Sequence, residues 1–292
     1  VEHTSLQGVM GREYALRSGE DPEVARAIYE HYLPRSADDE LPESTLGLAV
    51  GLADRLDSLA GLFAIDLIPT GSADPYGLRR DALGIVQNLL ANEMSFSVRR
   101  GLEEAAARLP VEASDEAISA ALEFVVERLR GYLRDEGYRY DVVDAVLAER
   151  GHDPYRARVG VEELSEWVGR EDGDEHHPWD LILDNYSRCV RITRDYEETF
   201  ELDPELFEET AEEGLYEVYR EARLEVTPES SVDEFLTSFL PLVDVIDAYF
   251  ERESGVLVMA DDEAVRKNRL AQLQRIAALA EGIVDRSRLE GF

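Results

Sequence analysis

The sequence predicts an all-α protein, and three observations lead to that class. Apolar residues recur every three or four positions along nearly the whole chain, which is the period of an amphipathic helix. Serine or aspartate residues, whose side chains accept hydrogen bonds from a first helical turn, stand directly before several of these segments. No convincing run of alternating β-branched residues, the pattern expected of a strand, is present.

Each predicted element follows from a cap or from an apolar stripe. In the first half, polar caps mark four helix starts, two of them followed by proline at the first helical position: Asp21–Pro22, Ser44 or Thr45, Asp74–Pro75, and Ser114. In the second half, apolar periodicity predicts helices at Asp141–Glu149, Trp179–Arg194, Pro204–Ala222, Val232–Phe250 and Glu263–Ile283. Pro241 should kink or split the fourth of these, and Asp261 or Asp262 should cap the last.

Two polar, turn-prone stretches resemble linkers. They are residues 109–115 (LPVEASD) and residues 171–178 (EDGDEHHP). We place the domain boundary at the first, which predicts one domain over residues 1–110 and a second over residues 111–292.

Length and composition indicate a folded intracellular protein. The 292 residues are 44% hydrophobic, enough for a large core, and no apolar run reaches the roughly 18 residues that a membrane helix needs. The lone Cys189 lies in an apolar helical pattern, so it is expected to be a core residue in a reducing cytoplasm. The chain begins at Val1 in mid-pattern, and we expect an N-terminal part to be missing.

The charge is unusual. The net charge is −34, and Lys267 is the only lysine beside 29 arginines. One interpretation is that this surface repels nucleic acid, because phosphate contacts need cations. The interpretation we favour is a halophilic source, since salt near 1 M screens such a field within about 3 Å. A GC-rich genome would account for the arginine preference but not for the excess of carboxylates.

Several segments carry a resemblance to one family. They are LQGVMGREYA (6–15), HYLPRSADDELP (31–42), LADRLDSLAGLF (52–63), IPTGSADPYGLRR (68–80), DALGIV (81–86) and, near the end of the chain, VIDAYFERESGVLVMADDEAVRKNRLAQL (245–273). Together they closely resemble the β subunit of bacterial glycyl-tRNA synthetase. Between about residues 135 and 237 the resemblance is weak.

The resemblance implies a fold and a function. It implies an N-terminally truncated HD-like helical domain followed by a helical-bundle anticodon-binding domain. The chain would bind tRNA(Gly) and join an α subunit in an α2β2 glycine–tRNA ligase, where the α subunit uses ATP and Mg²⁺. We therefore expect no catalytic residue, metal ligand or cofactor in this chain, no activity of the chain alone, and no DNA or membrane partner. No nucleotide-binding sequence motif is present, as this expectation requires.

Two other function classes stay open. Active HD hydrolases hold metal ions through a His, a His-Asp pair and a distant Asp, but here the only such pair, His152–Asp153, lies outside the matching block. Asp54 stands where the distant Asp might fall, although pairing with Arg55 or Arg80 is the simpler expectation. The acidic segment around His176–His177 is more simply a solvated loop than a metal site. The alternatives are thus a divergent HD-type metal-dependent phosphohydrolase and a helical protein-interaction scaffold.

The candidate tRNA contacts are basic clusters on predicted helices or loops. They are Arg79 and Arg80, Arg99 and Arg100, Arg188 and Arg191, and the run Arg266, Lys267, Asn268 and Arg269. For the first pair the alternative is a rigid loop corner with an internal ion pair. For the last run the alternative is surface pairing of Arg266 and Lys267 with Asp262 and Glu263.

Overall fold

The protein is helical throughout the part that the structure describes. This computed structural model describes residues 6–36, 39–71, 73–169, 179–251 and 255–292. Those ranges contain twelve α-helices, several short 3-10 turns, and one isolated β-bridge between Thr70 and Ala73. The all-α prediction is therefore confirmed. None of the described helices is long and apolar enough to cross a membrane. His176 and His177 lie outside the described residues.

The chain divides into two compact units. Unit 1 consists of Val1–Gly137 and Gly151–Arg158, and unit 2 of Tyr138–Arg150 and Val159–Phe292. This division differs from the predicted boundary near residue 110. The cause is the helix Asp115–Asp135, which follows the predicted linker but packs against earlier helices of unit 1.

Unit 1 is built around its third helix. Its helices are α1 (Val9–Arg17), α2 (Pro22–Glu30), α3 (Thr45–Ala64), α4 (Leu78–Ala91), α5 (Val98–Ala106) and α6 (Asp115–Asp135). α3 packs against α2, α4, α5 and α6. Buried residues recur along α3 from Leu48 to Phe63 at helical spacing, so its apolar stripe becomes the centre of the core.

Three of the predicted caps form the expected hydrogen bonds. Each cap side chain accepts a backbone N–H of the first turn: Asp21 from Glu23 at 2.8 Å, Ser44 from Gly47 at 3.0 Å, and Ser114 from Ala117 at 3.2 Å. Such a cap typically stabilises a helix by about 1 kcal/mol.

The fourth predicted start was misplaced. α4 begins at Leu78 instead of after Pro75, and its N-cap is Gly77, whose φ of 76° lies in the left-handed region that favours glycine. The Asp74 carboxylate reaches forward and accepts the N–H groups of Leu78 and Arg79, both at 2.9 Å. Those N–H groups are therefore not free to bind a phosphate.

Most helices of the second half belong to unit 2. They are α7 (Tyr140–Arg150), α8 (Pro154–Val168), α9 (Trp179–Thr193), α10 (Thr210–Glu225), α11 (Val232–Tyr249) and α12 (Glu263–Ala277). α8 contributes residues to both units and was not predicted. Within unit 2, α9 contacts α11 and α12, and α10 contacts α11.

Three predictions for the helices of this half need correction: one helix start, one break and one helix end. α10 begins at Thr210 because Pro204–Leu206 forms a separate 3-10 turn capped by Asp203. α11 continues through Pro241 without being split. α12 ends at Ala277, where the chain tightens into a 3-10 turn before Gly282, whose φ is positive.

Candidate nucleic-acid interface

The densest basic run of the sequence, Arg266 to Arg269, lies in the first turns of α12, and we call it the basic turn. Asp262 caps this helix by accepting hydrogen bonds from Ala264 N at 2.8 Å and Val265 N at 3.2 Å. Successive side chains of a helix point about 100° apart, so four neighbours cannot all face one surface. The first two lie at the surface, and the last two point into unit 2.

Asn268 and Arg269 are interior residues, only 2% and 4% exposed. Asn268 exchanges two hydrogen bonds with the backbone of Asp203, at 2.7 and 3.0 Å. Arg269 donates to both carboxylate oxygens of the fully buried Glu212 at 3.1 Å, and to Glu208 at 3.1 Å. The polar groups of both side chains therefore have partners within unit 2, which leaves them little exposed for a contact with RNA.

Arg266 and Lys267 remain at the surface but have partners. Arg266 donates to the carbonyl oxygen of Ala260 at 3.0 Å. Lys267 pairs with Glu263 at 2.9 Å, one turn back, and its ammonium lies 5.9 Å from the centroid of the Phe200 ring. The hydrogen bond from Lys267, followed by its charge, lowers the pKa of Glu263. The surface pairing that we considered as the alternative is therefore present for Lys267.

The two candidates on α9 differ from each other. Arg188 is half-buried and pairs with Asp184 at 2.7 Å and Asp247 at 3.0 Å, so its charge is neutralised. Arg191 is exposed, and its guanidinium lies 5.6 Å from the centroid of the Phe292 ring.

Arg99 and Arg100 occupy the first turn of α5, which Ser97 caps through the N–H of Arg100 at 3.3 Å. Both side chains are exposed. Arg100 also borders a cavity of about 890 Å³. The cavity is lined by apolar side chains, by Arg108 and by several carboxylates, including the exposed Asp54. In the described ranges, no group of three or more His, Cys, Asp or Glu residues could hold a metal ion.

Arg79 and Arg80 have different surroundings although they are adjacent. Arg79 donates to the carbonyl oxygens of Gly71 at 2.7 Å and Ala73 at 3.3 Å, and so holds the preceding loop as a corner. Arg80 is exposed and forms no hydrogen bond or ion pair through its guanidinium with any described residue. It lies against Gly77, where an added side chain would collide with it.

These two arginines border a pocket with Arg128 of α6, and we call it the arginine pocket. Its volume is about 450 Å³, within the usual range for ligand sites. Its other described lining residues are Pro34, Ser36, Leu83 and Gln87, so no carboxylate is among the described residues that line it. Two neighbouring arginines of α4 and a third from α6, distant in sequence, therefore meet at one concave surface.

A buried arginine fixes one wall of this pocket. Arg55 of α3 donates to the carbonyl oxygens of Tyr32 and Leu33 at 3.1 and 2.8 Å, and the side-chain amide of Asn88 also donates to Leu33 O, at 3.2 Å. Gly84 makes room for Arg55, since a Cβ there would come within 2.6 Å of its Nε. The loop that carries Pro34 is thus tied to α3 and α4.

Arg128 was missed by the sequence analysis. It stands beside the core residue Leu129, and its guanidinium lies 4.4 Å from the centroid of the Phe124 ring, one turn back. An arginine next to an apolar stripe, with an aromatic residue four positions earlier, was the available signal. That signal does not reveal which other cations lie nearby.

Comparison with known proteins identifies the family. A family model described as "Glycyl-tRNA synthetase beta subunit" matches residues 1–148, half of the chain. The chain belongs to this family. It is 41% identical, over 99% of its length, to the glycine–tRNA ligase beta subunit of Syntrophotalea carbinolica, and 38% identical, over 99%, to that of Moorella thermoacetica. It is also 37% identical over its whole length to glycine–tRNA ligase, chloroplastic/mitochondrial 2, of Arabidopsis thaliana.

The chain spans only part of each relative. It covers 41% and 42% of the two bacterial β subunits and 27% of the Arabidopsis protein. Each relative is therefore much longer than this chain, and the activity of a whole relative is not assigned to this chain.

Proposed function

We propose that this chain is the tRNA-binding part of a glycyl-tRNA synthetase β subunit. In the full α2β2 enzyme it would support ATP-dependent attachment of glycine to tRNA(Gly). The single observation that carries this proposal is identity of 36–41% over 95–100% of the chain to proteins named glycine–tRNA ligase or its beta subunit.

The proposal divides the work between subunits. Glycine, ATP and Mg²⁺ would be bound by the α subunit, and the β chain would supply RNA contacts and subunit contacts. The HD-like assignment of residues 1–110 and the anticodon-binding assignment of residues 111–292 belong to this proposal, as does a cytoplasmic location, which the single reduced cysteine suits.

The candidate RNA contacts are narrowed by burial and pairing. Exposed cations without a carboxylate partner are the best suited to phosphate. Among the candidates in the described part of the chain, these are Arg80, Arg99, Arg100 and Arg191, and the half-buried Arg79 and Arg128 adjoin Arg80 in the arginine pocket. Arg266 and Lys267 stay as weaker candidates, whereas Arg188, Asn268 and Arg269 have internal partners.

Reconstitution tests the proposal. The full-length β subunit is co-expressed with its α subunit, and glycylation of tRNA(Gly) is measured in high KCl. We expect glycylation by the complex, and no glycine-dependent pyrophosphate exchange by the 292-residue chain alone. A complex whose glycylation is unaffected by removing the β subunit would contradict the proposal. Exchange by the chain alone would contradict the assignment of chemistry to the α subunit.

A further inference from the structure

The described lining of the arginine pocket is positively charged, although most of the charged residues in the chain are acidic. Arg79, Arg80 and Arg128 line the pocket, and in the described part of the chain no carboxylate does, although the chain carries 64 acidic residues against 30 basic ones. In a sequence so rich in carboxylates, most arginines are expected to find one. Arg188 and Arg269 do so, as described above.

Arg128 is only partly solvated and lacks a hydrogen-bond partner where it is buried. Its Nε is buried with no partner among the described residues, and the Phe124 ring covers its guanidinium at 4.4 Å. Burial first, and then the positive charge of Arg79, lower the pKa of Arg128. The folded chain therefore holds this charge at a cost, which an anion in the pocket would offset.

Two acidic residues close to these arginines in sequence, Asp74 and Asp81, form no ion pair with them. Both oxygens of Asp74 already accept N–H groups at the start of α4, although its charge partly favours charged Arg128. Asp81 is next to Arg80 in sequence, but the two form no ion pair; burial raises the pKa of Asp81, although the charges of Arg55 and Arg80 act to lower it. Two guanidinium forks, those of Arg80 and Arg128, thus remain available.

We propose that the arginine pocket binds one phosphate group, with Arg80 and Arg128 as its ligands and Arg79 adding charge. Guanidinium forks match the oxygens of a phosphate, and none of the described residues that line the pocket is a carboxylate that would compete for them. This inference rests on the proposed function for its expected source, a phosphodiester of bound RNA. Free inorganic phosphate has the same chemistry and is the other source.

The first arm of the test measures tRNA binding. The variants are Arg80→Gln, Arg128→Met and the double variant, each in the full-length β subunit with its α subunit. Methionine keeps most of the apolar stem of Arg128, and Arg80 is exposed, so at least Arg80→Gln should fold. The matched control is Arg130→Gln on the same helix, since Arg130 pairs with Glu127 and does not line the pocket.

The expected result has two parts. The double variant should bind tRNA(Gly) about tenfold or more weakly, because it loses charge-assisted hydrogen bonds. The slope of log affinity against log salt should also fall in magnitude by about 0.7–0.9, the loss of one phosphate contact. The Arg130→Gln control should change neither quantity, and co-elution of each variant β subunit with its α subunit in size-exclusion chromatography would show that the complex is intact.

The second arm identifies the source of the phosphate. Melting temperatures are compared in potassium phosphate and in KCl at equal ionic strength. If the pocket takes free phosphate, the wild-type complex melts higher in phosphate, and the double variant loses that difference. We expect the tRNA arm to respond and the phosphate arm to respond weakly or not at all.

Each outcome decides something. A loss in either arm, limited to the pocket variants, supports the pocket and names its source. Folded variants with wild-type tRNA affinity, wild-type salt slope and no lost phosphate effect would overturn it. If the wild-type complex does not bind tRNA, the proposed function fails separately, and the phosphate arm alone decides the inference.

Discussion

The basic turn of α12 and the arginine pocket of unit 1 present cations in opposite ways. The basic turn is four consecutive residues, of which Asn268 and Arg269 are buried and Lys267 is paired with Glu263. The pocket draws its arginines from two helices, and its described lining contains no carboxylate. A run in sequence is therefore a poor guide to a charged surface, because a helix turns each residue by about 100° and sends neighbours into different environments.

The same comparison separates cations that build the fold from cations that remain for a ligand. Arg269 is held by Glu212 and Glu208, so its charge is used in folding. Arg80 has no such partner among the described residues. Predictions that exchange or remove these cations should therefore change stability at the first site and ligand binding at the second.

The largest effect is expected at Arg269. Replacing it in Arg269→Met removes the partner of Glu212, which is fully buried, and should lower the free energy of unfolding by about 3–5 kcal/mol. Urea denaturation followed by tryptophan fluorescence measures this directly, because both tryptophans, Trp167 and Trp179, lie in unit 2 with Arg269.

A double variant provides the control for that measurement. Arg269→Met combined with Glu212→Gln should recover part of the lost stability, since no unpaired buried charge is left. A single variant with the wild-type denaturation midpoint would show that the Arg269 pair does not stabilise unit 2.

A second buried arginine, Arg286, is surrounded by aromatic rings, whereas Arg269 is paired with carboxylates. Arg286 is fully buried, its three side-chain nitrogens have no hydrogen-bond partner among the described residues, and its guanidinium lies 4.2–4.5 Å from the ring centroids of Tyr186, Phe235 and Phe239. Burial lowers the pKa of Arg286 to about 10. The charge is therefore disfavoured by burial and favoured by the three rings.

Arg286→Met removes both contributions and loses no hydrogen bond. Methionine also packs well against aromatic rings. We expect the free energy of unfolding to change by less than about 2 kcal/mol, because several kcal/mol of desolvation and of cation–π attraction cancel. The same urea and fluorescence measurement applies. A loss as large as that at Arg269 would show that the rings alone stabilise a buried cation as well as carboxylates do.

The sequence predicted most of the fold because local signals govern helices. Ser44 and Ser114 cap where expected, since capping depends on a few neighbouring residues. Errors arose where a longer-range contact decides: Asp74 caps α4 from outside the helix, and α6 joins unit 1 through contacts with α3, α4 and α5. Neither the cap of α4 nor the packing of α6 can be recognised from the residues next to it in sequence.

The candidate site was less predictable for the same reason. Arg79 and Arg80 were identified from their loop, but Arg128 is 48 residues after Arg80, and only the packing of α6 on α4 brings it to the same pocket. The burial of Asn268 and Arg269 depends likewise on Asp203 and Glu212, which are distant in sequence. Side-chain convergence of this kind is a property of the tertiary structure.

Charge reversal compares the two regions as RNA-binding surfaces. Arg80→Glu should weaken binding of tRNA(Gly) to the full complex by about tenfold or more, since it removes an unpaired cation and adds repulsion. Lys267→Glu should weaken it by less than about threefold, because Glu263 already neutralises Lys267. Filter binding at two salt concentrations measures both, and helicity is checked in parallel. A larger loss of affinity for Lys267→Glu than for Arg80→Glu would indicate that the RNA contacts α12 and not the arginine pocket.

The smallest effect is expected for the stability of Lys267→Ala. Its ion pair with Glu263 is on the surface, where the attraction is screened and offset by the lost freedom of two long side chains. The free energy of unfolding should therefore match that of the wild-type chain within the scatter of repeated urea titrations. Raising KCl from about 0.1 M to 1 M should not alter the difference between the two proteins, since little attraction remains to be screened. A clear, salt-sensitive loss of stability would mean that the Phe200 ring, 5.9 Å from the ammonium, holds Lys267 in a stronger network than its exposure indicates.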